Sequence, residues 1–128
     1  MNRVAKRCRV LIVDGNWMFR EAARYALARA GYDALQAETP NAAVALMEQE
    51  AGRVDLVVSE VQFKGATQGL SLLEKLRTFN ADLKAVFVSG YPDDEAKMQQ
   101  VGHVYLCKPF EQREFLAVVD QQLVCRSP

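Results

Sequence analysis

Four polar residues stand at the ends of four apolar runs in this chain: Asp14 after RVLIV, Glu60 after DLVVS, Ser89 after KAVFV and Lys108 after VYLC. Two carboxylates can hold a cation, while a hydroxyl and an ammonium are donors suited to phosphate oxygens. The four can act together only if their runs are neighbouring strands that end on the same rim. In a doubly wound parallel sheet of this size the common strand order is 2-1-3-4-5, and ligands bind beyond the carboxyl ends of strands 1 and 3, where the winding reverses. Asp14 and Glu60 fall at those two ends, so the layout by itself predicts a polar pocket.

The rest of the chain supplies that layout. Short apolar runs alternate with helical periodicity, the pattern of an α/β sheet with parallel strands. Val10 to Val13 is wholly apolar, as expected for a central strand covered on both faces. From Asn16 the period becomes helical, with Phe19, Ala22, Ala23, Ala26, Leu27 and Ala30 on one face and Arg20, Glu21, Arg24 and Arg29 elsewhere, up to Gly31. A weaker strand over Asp33 to Ala37 reads as an edge. Thr39 and Pro40 then start a second helix carrying Ala43, Leu46 and Met47, which ends near Gly52. Asp55 to Ser59 is the third strand, and VQFKGATQG after it reads as an exposed loop. A third helix follows over Leu70 to Phe79, with Leu72, Leu73 and Leu76 inward. The fourth strand, Ala85 to Val88, leads into SGYPDDE, whose acids favour the first turn of a short polar helix ending at Gln100. Val104 to Cys107 is the fifth strand, and a last helix from Glu111 to about Val124 buries Phe115, Val118, Val119 and Leu123.

At 128 residues the chain suits one domain over 1–128, and its sixteen acidic and sixteen basic residues leave no net field that would draw it to nucleic acid or a membrane. The apolar runs are far shorter than a membrane span or a signal-peptide core, which makes the cytoplasm the expected location. Cys8, Cys107 and Cys125 are odd in number and without CxxC spacing, so a reduced state is expected of all three.

In order and spacing, VLIVD, DLVVSEV, VFVSGY and YLCKPF resemble the receiver domain of two-component response regulators, over nearly the whole chain. The resemblance implies a flavodoxin-like (βα)5 three-layer sandwich. It also implies that an acidic pair after strand 1 holds Mg²⁺, that an aspartate after strand 3 accepts phosphate from a histidine kinase, and that a Ser or Thr and a Lys bind the phosphoryl oxygens. Carried over residue by residue, Asp14 matches the first acid, Glu60 the acceptor, Ser89 the hydroxyl and Lys108 the lysine. Tyr105 matches the aromatic that packs inward in the active arrangement, and the Lys108–Pro109 peptide bond is expected to be cis.

Two positions depart from that pattern. Gly15 stands where the second acid would be, leaving Asp14, Glu60 and the backbone carbonyl of Gln62 as a weakened Mg²⁺ site. Glu60 is longer than the aspartate it replaces, carrying its carboxylate about 1.5 Å further toward Lys108 and Ser89, a large shift for phosphoryl transfer. Phosphorylation is therefore expected to be slow or absent. A carboxylate so placed is also a partial, permanent mimic of phosphoaspartate, with one charge where a phosphoryl group brings about 1.5 to 2. Lys108 and Ser89 would be its partners.

The expected function is that of a non-enzymatic signalling module with a protein partner, a sensor kinase or a downstream effector. Contact would run through the face of the fourth helix, fifth strand and fifth helix, which can also support homodimers. The alternative within the family is a receiver with weak Mg²⁺-dependent acceptor activity. A flavodoxin-like cofactor binder or a small phosphatase is disfavoured: DGNWM after the first strand lacks both a Ser/Thr-rich phosphate loop and a DxD pair, and His103 is the sole histidine. His103 has no second ligand type nearby. Trp17 is expected to be half-buried, Cys107 a packed thiol, and Ser59 to face away from the pocket. A stand-alone module is the leading expectation, and a receiver excised from a longer regulator is a further possibility.

Overall fold

The computed structural model describes residues 7–64 and 68–123. Five strands and five helices alternate along them: β1 (Arg9–Val13), α1 (Trp17–Arg29), β2 (Asp33–Ala37), α2 (Pro40–Gln49), β3 (Leu56–Glu60), α3 (Gly69–Leu76), β4 (Lys84–Ser89), α4 (Asp93–Gln100), β5 (Val104–Cys107) and α5 (Gln112–Gln122). All strand pairs are parallel, in the order β2-β1-β3-β4-β5. This is the doubly wound, flavodoxin-like architecture expected from the sequence, with β2 on an edge.

The continuous apolar runs have a simple origin. Leu11 and Val13 of β1, Val57 of β3 and Phe87 of β4 belong to one core cluster, closed by Met47, Leu72, Leu76 and Met98 from α2, α3 and α4. Val10, Ile12, Val58, Val86 and Val88 point the other way, into a second cluster with Ala26, Leu27, Phe115 and Val119 from α1 and α5. Each strand feeds both clusters because successive side chains point to opposite faces. Burying a Leu or Phe in either layer stabilises the fold by about 1.5–3 kcal/mol.

Local signals set the helix ends. The Asn16 side chain accepts the Phe19 N–H at the start of α1, and Thr39 does the same for Ala42 before α2, with Pro40 at the first helical position. Gly31 and Gly52 follow the first two helices at positive φ. At Gly52 a Cβ would also stand 2.4 Å from the Phe79 carbonyl oxygen.

Several expectations change. Ala22 and Ala30 are exposed, whereas Arg20 is buried, because the buried face of α1 runs through Arg20, Ala23 and Leu27. Val61 is buried even though it opens the segment read as an exposed loop, since the chain turns back to form an isolated antiparallel bridge between Gln62 and Gln68. Val118 is only partly buried. Trp17, the first residue of α1, is 64% exposed rather than half-buried. Cys8 is disulfide-bonded, against the reduced state expected; count and spacing do not show which thiols a fold brings together. Cys107 is free, and Cys125 lies outside the described residues.

Candidate functional site

Strand register brings the four polar residues to one rim. Val13 pairs with Ser59, so Asp14 and Glu60 follow side by side. Glu60 pairs with Val88 and Ser89 with Cys107, which sets Ser89 one step and Lys108 two steps beyond Glu60 along the rim. The Lys108–Pro109 peptide bond is cis.

Asp14 is the buried centre of the site, 1% exposed. Its Oδ1 accepts the Asn16 N–H at 2.9 Å, and its Oδ2 accepts the Lys108 Nζ at 2.7 Å. The ammonium lies 4.1 Å from the centroid of the Phe19 ring, a cation–π contact that covers the ion pair. A carboxylate this deep requires such a partner, since an isolated buried charge would be strongly unfavourable.

Glu60 is partly buried and turns toward Gly15, whose backbone N–H it accepts through Oε2 at 2.9 Å. Burial pushes the Glu60 carboxyl above the usual carboxylate range; the Gly15 hydrogen bond opposes this, the Asp14 charge adds to it, and Lys108 pulls it down. The expected ion pair between Lys108 and Glu60 does not form. Lys108 pairs with Asp14, because the fully buried carboxylate has more to gain from the ammonium than one with access to water and to a backbone donor.

Ser89 likewise does not donate to Glu60. Its hydroxyl lies 2.7 Å from the Tyr105 hydroxyl and accepts the Tyr91 N–H at 3.2 Å. The Tyr105 hydroxyl also reaches the Tyr91 carbonyl oxygen at 3.0 Å, and its ring packs against the core. Burial raises the Tyr105 pKa, and the Ser89 hydrogen bond works against that rise. Tyr105 is thus directed inward, with its hydroxyl satisfied by the turn after β4.

The model of the response regulator receiver domain matches residues 10–120. The chain belongs to the response regulator receiver family. The receiver is 32% identical over 117 residues to the sensor kinase CckA of Brucella abortus, covering 89% of the chain but 12% of the kinase. It is 32% identical over 113 residues to the uncharacterised transcriptional regulatory protein YbdJ of Bacillus subtilis, covering 87% of the chain and 48% of that regulator. The chain therefore spans half or less of the length of these relatives. Among solved structures, the receiver domain of the hybrid histidine kinase CckA superposes with a TM-score of 0.77 at 31% identity, covering 91% of this chain and 99% of that one. Receivers as a family exchange signals with sensor kinases and effectors.

Receivers typically use Mg²⁺ at the phosphorylation site. In this receiver the donor set fits the ion poorly. No group of three or more acidic, His or Cys side chains gathers among the described residues. Both oxygens of Asp14 already accept N–H donors, and so does Oε2 of Glu60. The backbone carbonyl of Gln62, the third expected donor, lies at the bridge to Gln68, where the ladder hydrogen bond goes to the neighbouring Val61 carbonyl instead. A Cβ on Gly15 would stand 3.8 Å from Glu60 Oε2, an ordinary contact, so glycine matters here for the charge it omits rather than for space.

His103 packs edge-on against Phe87, with ring centroids 5.2 Å apart; burial and the nearby Arg77 lower its pKa. Ser59 is buried and its hydroxyl donates to the Glu60 carbonyl oxygen at 2.8 Å. Sequence reasoning missed Arg20, whose Nη1 donates to the Asp14 carbonyl oxygen at 2.8 Å. A signal was present: Arg20 precedes Ala23 and Leu27 by three and seven residues, the spacing of the buried face.

Among the described residues no helix is long and apolar enough to cross a membrane.

Proposed function

We propose that this receiver, acting as one unit over 1–128, signals by protein contact without phosphoryl transfer, with Glu60 as a fixed partial mimic of phosphoaspartate. The observation that carries the reading is the Glu60 carboxylate held on the Gly15 N–H at 2.9 Å, while Lys108 is engaged by Asp14 at 2.7 Å. The acceptor position is filled, its carboxylate is held on the Gly15 N–H rather than paired with the lysine that would steady an incoming phosphoryl group, and the donor set for Mg²⁺ is incomplete. The mimicry then works through the field of the Glu60 carboxylate, felt by Lys108 across space, rather than through a direct ion pair.

The inward Tyr105, bonded to Ser89 and Tyr91, agrees with an active-like arrangement. Contact would use the α4–β5–α5 face, where Tyr91 and Val101 lie 72% and 54% exposed at the two ends of α4. The partner is a cytoplasmic sensor kinase or effector, and the same face can pair two copies. No catalytic role is assigned.

Intact-mass spectrometry after incubation with Mg²⁺ and a small phosphodonor tests this. The wild-type chain is expected to stay unmodified, and a Gly15→Asp, Glu60→Asp double variant to gain one phosphoryl mass. A phosphoryl adduct on wild type would establish the weak-acceptor reading in its place.

A further inference from the structure

The carbonyl of Asp14 and the N–H of Gly15 belong to one peptide unit, which is trans, so the two groups point in opposite directions. The carbonyl end meets the buried Arg20 guanidinium at 2.8 Å, and the N–H end meets the Glu60 carboxylate at 2.9 Å. A permanent cation and an anion therefore share a single peptide dipole without touching each other.

We propose that Arg20 is the positioning residue of this pocket: through the Asp14–Gly15 peptide it fixes the N–H that holds Glu60 in place. Rotating that peptide would break both hydrogen bonds together. The guanidinium is itself fixed from its other side. Arg20 Nε donates to Gln36 Oε1 on β2 at 3.1 Å, Gln36 Nε2 donates to Glu21 Oε2 at 2.9 Å, and Glu21 Oε1 accepts Arg24. Arg24 and Gln36 hold the Glu21 carboxyl below its usual range, so this end of the chain stays charged.

Hydrogen bonds in series polarise one another, and a charged donor on the carbonyl makes the opposite N–H a stronger donor. Arg20 thereby delivers part of its charge to Glu60, at a position where a receiver with a second acid would need a cation. The arrangement holds whether or not Glu60 ever accepts phosphate, so it goes beyond the functional reading above. It also makes the α1–β2 surface, through Glu21 and Gln36, a place from which Glu60 can be loosened.

The test is two-dimensional NMR of the ¹⁵N-labelled full chain, read at the Gly15 amide proton in Arg20→Met, Arg20→Lys, Glu60→Gln and the Arg20→Met, Glu60→Gln double variant. The wild-type proton is expected downfield. It should move upfield in Arg20→Met and in Glu60→Gln, move less in the double variant than the sum of the two single shifts, and return part-way in Arg20→Lys. A folded Arg20→Met with Gly15 at its wild-type position, or strictly additive shifts, overturns the proposal. If Arg20→Met does not fold, Gln36→Leu, which removes the partner of Nε and the donor to Glu21 but keeps the guanidinium, gives the reading: an upfield Gly15 shift supports the proposal and an unmoved one overturns it.

Discussion

Lys108 and Asp14, 94 positions apart in sequence, form an ion pair in the pocket at 2.7 Å, with the carboxylate sealed from water and the ammonium partly open to it. The pair spans β1 and β5, which are not neighbours in the sheet, and so ties the rim across β3 and β4.

Removing the lysine should therefore be costly. Lys108→Met leaves the Asp14 charge buried and unpaired, and is expected to lower the unfolding free energy by about 3 kcal/mol, the lower end for a broken buried pair because the lysine is partly solvated. Adding Asp14→Asn should recover much of the loss in urea denaturation; a double variant as weak as the single one would show that the pair is not what Lys108 contributes.

The Glu60 carboxyl gives the stability curve a definite slope. Its folded-state pKa is raised above the unfolded value, chiefly by burial. The folded state thus binds the proton more tightly, and stability is lost as pH rises from the unfolded pKa through the folded one. Glu60→Gln, which keeps an oxygen for the Gly15 N–H, should remove that loss. The variant is expected to unfold at higher temperature than wild type at pH 7 and to converge with it below pH 4, about the ordinary glutamate pKa.

Gly69 backs the acceptor strand from behind. A Cβ there would stand 2.4 Å from the Glu60 carbonyl oxygen and 2.9 Å from the Phe87 ring, while the Gly69 N–H already donates to Val61 O at 2.7 Å. Gly69→Ala should cost about 1–3 kcal/mol by chemical denaturation, as overpacking does. It should also shift the Gly15 amide resonance, since moving the Glu60 backbone moves its carboxylate.

Tyr105→Phe isolates the hydroxyl that joins β5 to the turn after β4. Its contacts to Ser89 and Tyr91 should be worth about 1 kcal/mol net in urea denaturation. The Tyr91 amide resonance should broaden as the turn loosens; an unchanged spectrum would detach Tyr105 from any switching role.

Much of this protein was legible in one dimension, for identifiable reasons. The strands of the core read plainly because residues covered on both faces must be apolar in sequence, and the site residues stood out because a polar residue ends each such run. The helix starts at Asn16 and Thr39 could be read because capping is a local hydrogen bond. The edge strand β2 also kept its expected bounds, though its burial is only partial.

Partner choice within the pocket could not be read in the same way. The extra methylene of Glu60 was expected to carry its carboxylate to Lys108, yet the side chain turned to the Gly15 N–H and left the lysine to Asp14. That outcome depends on a comparison of burial between two carboxylates, which exists only once the sheet and α1 have closed around one of them. Arg20 passed for a surface residue for the same reason: its favourable place, between Gln36 and the Asp14 carbonyl, is created by the packing of α1 on β1 and β2. The sequence by itself determined which groups reach the rim, since strand ends and alternation are local. Only the tertiary structure decided which of those groups pair, because desolvation, and with it the value of each charge, is a property of the assembled surroundings.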